Sequence, residues 1–149
     1  YMETEENKYY IPEIEEFHVG FECEFYNSKD KHFYFEAPDG WIKTMIGENL
    51  YLREFTNQYQ LLKENLFRVK YLNKEDIESC LSNLLDFKII NFEDDNFIEY
   101  EFSKGGMEYS GLYTISDRIF SVYENDECLF RGEIKNKSEL KILMKQLGI

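Results

Sequence analysis

Residues 16–25, "EFHVGFECEF", hold one of the chain's two histidines and one of its three cysteines, His18 and Cys23, among Glu16, Glu22 and Glu24. Those are the side chains of metal sites and of nucleophilic catalysis, provided that they meet. Phe17, Val19, Phe21, Cys23 and Phe25 alternate with Glu16, His18, Gly20, Glu22 and Glu24. That period of two predicts a strand, in which neighbouring side chains point to opposite faces. His18 and Cys23 then cannot share a site. Closing a hairpin between Phe25 and Phe33 keeps both apolar faces together and sets His32 opposite Tyr26. His18 is then eight residues along, about 26 Å away at 3.3 Å per residue, too far for a shared metal ion. No metal site is expected, and His18 reads as a hydrogen-bonded surface histidine.

Other chemistries find little support. No serine sits in a nucleophile elbow. No phosphate-binding glycine pattern occurs, and "KGGM" at 104–107 is a turn. "EDDN" at 93–96 lacks the spacing and central glycine of a calcium loop. With 30 acidic residues, close carboxylate pairs arise by chance and carry no information. No catalytic residue and no cofactor is expected.

Partner recognition leaves more to work with. Trp41 follows a "PDG" turn, Tyr9, Tyr10 and Tyr26 are expected to be partly exposed, and exposed aromatics are common interface anchors. The hairpin's polar face, Glu16, His18, Glu22, Glu24, Tyr34 and Glu36, is expected to be exposed while Phe17, Val19, Phe21, Phe25, Phe33 and Phe35 are buried, leaving an acidic surface suited to a basic protein partner. A basic stripe, Lys135, Lys137, Lys141 and Lys145, is the alternative contact; it also suits a solvated helix face with cations near its C-terminus. A nucleotide-type ligand would need stacking rings and cations, which Trp41 or a tyrosine could supply with Arg53, Arg68, Lys70, Arg118 and Arg131.

The elements that must position these residues follow from the pattern. Residues 1–10 read as a flexible tail, with Tyr1 a remnant ahead of Met2, and 11–149 as one domain. The N-terminal hairpin comes first. Leu52, Phe55, Tyr59, Leu62 and Leu66 recur at three and four, predicting a helix. "FRVKYL" is a short strand, and Asn73 caps a helix that buries Ile77, Cys80, Leu81 and Leu84. Strands follow from "FKIINF" to "ECLFRGEI", with a tight turn at Asn125–Asp126. Asn136 and Glu139 form a capping box before a last helix facing inward through Leu140, Leu143, Met144 and Leu147. The fold class is α+β: one antiparallel sheet, built from the N-terminal hairpin and a C-terminal meander, with about three helices on one face.

The net charge of −13 repels phosphate backbones and argues against general nucleic-acid binding. Residues 1–40 carry 11 acids against 3 bases, residues 41–92 carry 7 against 7, and residues 93–149 carry 12 against 7. Three scattered cysteines without a CxxC suit a reducing compartment. No signal-peptide pattern and no apolar run near 20 residues is present, so a cytoplasmic setting off the membrane is expected.

Three segments, "YYIPEIEEFHVGFECEF", "FRVKYLNKEDIES" and "IKNKSELKILMKQLGI", resemble a family of small uncharacterised proteins of Bacteroidota and their phages. The resemblance spans most of the chain and thins around "TNQYQLLKEN" and "EDDNFIEYEF". No activity or functional residue comes with it. It implies a small accessory gene of a phage or mobile element. Proteins in that setting often act by binding, as host-directed inhibitors or regulators. The expectation is therefore a non-enzymatic protein binder. A nucleotide-signal sponge is the second class, and an enzyme assembled from distant segments the third.

Overall fold

In the computed structural model, residues 8–27, 40–46 and 67–149 are described. They are α+β, with two antiparallel sheets where one was expected. The chain divides into two compact units, one ending at Lys70 and the other running from Tyr71 to Ile149.

The first unit holds a sheet of order β1-β4-β2-β3, from β1 (Tyr9–Tyr10), β2 (Glu22–Asn27), β3 (Gly40–Met45) and β4 (Phe67–Lys70). The strand expected from residue 16 starts only at Glu22. A 3-10 turn at Ile14–Glu16 and a left-handed Gly20, φ +91°, intervene. Glu13 and Glu16 make that turn by reciprocal backbone capping, a local bond that competes with a strand. Val19, expected inside, is therefore 56% exposed. The hairpin register is also corrected. Phe25 faces Ile42 on one side and Phe67 on the other, so both its edges are taken and Phe33 is not its partner. Phe33, Tyr34, Phe35, Glu36 and His32 lie outside the described residues, as does the helix expected around Leu52–Leu66. At the end of the expected tail, Tyr9 and Tyr10 pair with Lys70 and Val69. One sheet face buries Cys23, Phe25, Phe67 and Val69 with Phe21 and Ile46.

The second unit is a meander of order β5-β6-β7-β8-β9: β5 (Leu85–Glu93), β6 (Phe97–Lys104), β7 (Met107–Thr114), β8 (Ile119–Glu124) and β9 (Glu127–Glu133). Helix α1 (Lys74–Leu81) precedes it and α2 (Lys137–Gln146) follows. Paired left-handed residues close three of its four hairpins: Asp94–Asp95, Gly105–Gly106 and the expected Asn125–Asp126. Such residues match the twist of the flanking strands. Ile77 and Leu81 of α1 and Leu140, Leu143 and Met144 of α2 share one core with Ile98, Tyr100, Phe102, Tyr113, Phe120 and Val122. Both helices thus cover the same sheet face. Asn73 accepts the Asp76 amide at 2.9 Å, and Asn136 accepts the Glu139 amide at 2.9 Å. Glu139 departs from the expected box, for its carboxylate takes the amide of Lys135, one residue before the cap, at 2.6 Å.

Gly111 shows how tightly this sheet is built. It pairs with Tyr100 on one side and Val122 on the other. The Tyr100 ring lies across it, with its hydroxyl donating to the Ser121 carbonyl. A Cβ at 111 would overlap both the hydroxyl and that carbonyl. No helix among the described residues is long and apolar enough to cross a membrane.

Candidate binding face

Strand parity decides which polar residues of the first unit meet. Tyr9 pairs with Lys70, Glu24 with Arg68 and Lys43, and Tyr26 with Trp41. Opposed residues share a face, and residues two apart share it too. Tyr9, Arg68, Lys70, Glu22, Glu24, Tyr26, Trp41, Lys43 and Met45 therefore all lie on the side of the sheet away from its core.

The centre of that face is Arg68. Its guanidinium carbon lies 3.7 Å from the Tyr9 ring centre and 4.3 Å from that of Trp41. Its Nη2 donates to Glu24 Oε1 at 3.2 Å. The Arg68 Nε is buried with no hydrogen-bond partner among the described residues. Aromatic faces attract a guanidinium because of the ring quadrupole, with an energy of about 0.5–2 kcal/mol that rises on desolvation. Tyr26 meets Trp41 edge to face, with ring centres 5.4 Å apart and planes at 74°. Trp41 and Tyr26 are each 37% exposed.

This arrangement corrects the expected acidic surface. Glu24, expected exposed, is only 9% exposed and is held by Arg68. A carboxylate is kept there because the guanidinium and its hydrogen bond offset the loss of water. Glu16 accepts the Tyr10 hydroxyl at 2.6 Å through one oxygen and the Glu13 amide at 2.8 Å through the other. It holds the 3-10 turn. His18 is exposed and sits outside the strand, its Nδ1 donating to the Glu16 carbonyl at 2.9 Å. It does not share a strand face with Glu22 and Glu24. Glu22 is half-buried on the outward face, opposite Met45. Of the expected contact residues, the sheet thus brings together Glu22, Glu24 and Trp41. Arg68 was expected only among the cations of a nucleotide-type site and Tyr9 only as a partly exposed aromatic; neither was expected beside Glu24. The alternation of "FRVK" and "GWIKTM" does place Arg68, Lys70, Trp41 and Lys43 on polar sides, but their meeting needs a strand order that sequence does not give.

The cysteines stay apart in role. Cys23 is buried, Cys80 half-buried and Cys128 exposed, and none forms a disulfide. Burial first, and the Glu24 charge second, push the Cys23 thiol up to about 12, which keeps it protonated and unreactive. Among the described residues, no three histidine, cysteine or acidic side chains stand where they could hold a metal ion.

In the second unit, Lys135 and Lys137 are half-buried and Lys141 and Lys145 exposed. Arg118 stacks on Tyr71 at 3.7 Å, and Arg131 is exposed on β9 opposite Ser121. Arg53 lies outside the described residues. A groove of about 670 Å³ opens at one end of this sheet, lined in part by Asp86, Glu101, Glu108 and Asp126. Its lysine, Lys88, lies 3.6 Å from Glu101. Set against known protein families, curated proteins and solved structures, the chain matches none.

Proposed function

We propose that the chain is a small, acidic, non-enzymatic accessory protein that binds a protein partner through the outward face of its four-stranded sheet. The resemblance to proteins of Bacteroidota and their phages supports a phage or mobile-element origin, a cytoplasmic setting and a host-directed inhibitor or regulator role. The observation that carries the reading is Arg68 stacked on Tyr9 and Trp41 and held by Glu24, with Tyr26 braced against Trp41. Tryptophan, tyrosine and arginine dominate interface hot spots because they offer large contact area and lose little freedom when already held. Here packing fixes the rings before any partner arrives. The test is affinity capture from host lysate with wild type and Trp41→Ala side by side. A stoichiometric partner retained by wild type and lost by a folded Trp41→Ala supports the reading. Equal retention by both overturns it.

A nucleotide-type ligand is the second reading, favoured by the same meeting of Arg68 with Trp41. Arg68 is already stacked on two rings and bound to Glu24, which leaves fewer of its donors for a phosphate. A thermal-shift screen separates the two, since a nucleotide at 100 times its Kd adds about 2.7 kcal/mol.

A further inference from the structure

We infer that the corner between Tyr26 and Trp41 takes a proline-rich segment of the partner, with an acidic residue beside the prolines. This rests on the reading that the outward sheet face binds protein. The two rings stand opposite each other across β2 and β3, close to perpendicular and both partly exposed. A perpendicular pair leaves a corner walled by one ring's face and the other's edge. A proline ring is compact and apolar and has little rotamer freedom to lose, so it fits such a corner at low entropic cost.

The next ring along the face lies within one repeat of such a segment. Polyproline II repeats every three residues, about 9 Å. Arg68 bridges Trp41 to Tyr9, so those two ring centres are at most about 8 Å apart. A chain seated at Tyr26–Trp41 can therefore reach the Tyr9 ring within about one turn. This conformation has no internal hydrogen bonds, so it can lie across a sheet face without sacrificing any.

Charge selects the flank. Glu24 is neutralised by Arg68. Lys43 is exposed on the same face, two residues from Trp41, or about 7 Å. Glu22 is four residues from Tyr26, about 13 Å along the strand. Among the described residues, the charge next to the corner is thus positive in a chain of net −13, and an acidic neighbour of the prolines complements it.

Trp41 is the chain's single tryptophan, so its emission reports this corner alone. Three blocked peptides of equal length are titrated into the full chain: six prolines flanked by glutamates, six prolines flanked by lysines, and a glycine–serine run flanked by glutamates. The expected result is a saturable emission shift with the first, binding at least fivefold weaker with the second, and no shift with the third. Tyr26→Ala should abolish the shift, with the fold checked by circular dichroism. Lys43→Glu, a surface change, should reverse the preference between the two proline peptides. Equal responses to all three peptides, or none, overturn the inference. So does a saturable shift with ATP but not with the proline peptides. If the peptides fail while Trp41→Ala still loses the captured partner, the proline-rich inference falls and the protein-binding reading stands.

Discussion

Glu24 in the four-stranded sheet and Tyr100 and Tyr113 in the five-stranded sheet are polar side chains set deep in their units, and they are satisfied in opposite ways. Glu24 holds a charge against Arg68, whose guanidinium lies over two aromatic rings. Tyr100 and Tyr113 donate neutral hydroxyls to the Ser121 and Ile134 carbonyls. The neutral hydroxyls cost less to take out of water than a charge does, and they tie neighbouring segments of one core. The charged pair must overcome the cost of leaving water, and a well-packed apolar pair would serve stability as well or better. Under the proposed function, such a pair beside exposed Trp41 and Tyr26 serves recognition rather than folding, so the meander carries stability and the smaller sheet the partner contact.

The largest expected effect tests the meander. Gly111→Val drives a side chain into the Tyr100 hydroxyl and the Ser121 carbonyl. It should cost about 3 kcal/mol or more in chemical denaturation, since neither neighbour is the far end of a flexible chain. A loss under 1 kcal/mol would show that the sheet yields more easily than its packing implies.

Alkaline titration comes next. The Cys23 thiol, raised from 9.0 to about 12, stays protonated in the folded chain while the unfolded chain has already lost its proton. Its contribution is complete below pH 9 and is lost as pH rises toward 12, at roughly 1.4 kcal/mol per unit. Tyr100, pushed well above 10.0 by burial first and Tyr123 second, acts in the same direction. Unfolding midpoints should therefore fall above pH 9. Cys23→Ala should flatten the first part of that fall, and an unchanged slope in that variant would exclude the thiol as its source.

Glu24→Gln keeps an acceptor for Arg68 but removes the charge. It should cost about 1–2 kcal/mol, modest because the pair is partly hydrated, and should shift Trp41 emission. The cap change Asn73→Ala should cost about 1 kcal/mol and leave that emission alone. The smallest expected effect sharpens the contrast most. Glu24→Met combined with Arg68→Leu should change stability by less than about 1 kcal/mol and abolish partner capture. A collapse in stability would return the pair to a folding role.

Much of the meander was legible in the sequence. Ile98, Tyr100 and Phe102 alternate cleanly with Phe97, Glu99 and Glu101, turn residues bound each strand, and Asn73 and Asn136 announce the helices. All of these signals are local. The first unit misled where local alternation met a competing local bond. Glu13 and Glu16 close a 3-10 turn on residues that also fit a strand pattern, so Val19 lies outside. The candidate face was illegible for another reason. It joins Tyr9, Glu24, Trp41 and Arg68 from four strands, and nothing in their spacing states the order β1-β4-β2-β3. Glu24 looked like one more solvent-facing carboxylate because its partner lies 44 residues away.

Radical footprinting of the captured complex tests most directly that recognition belongs to the smaller sheet. Trp41 and Met45 are oxidisable and exposed on its outward face, while Met107 is exposed in the meander. Partner binding should slow oxidation of Trp41 and Met45 severalfold and leave Met107 at its unbound rate. Protection of Met107 with Trp41 and Met45 unchanged would contradict the account.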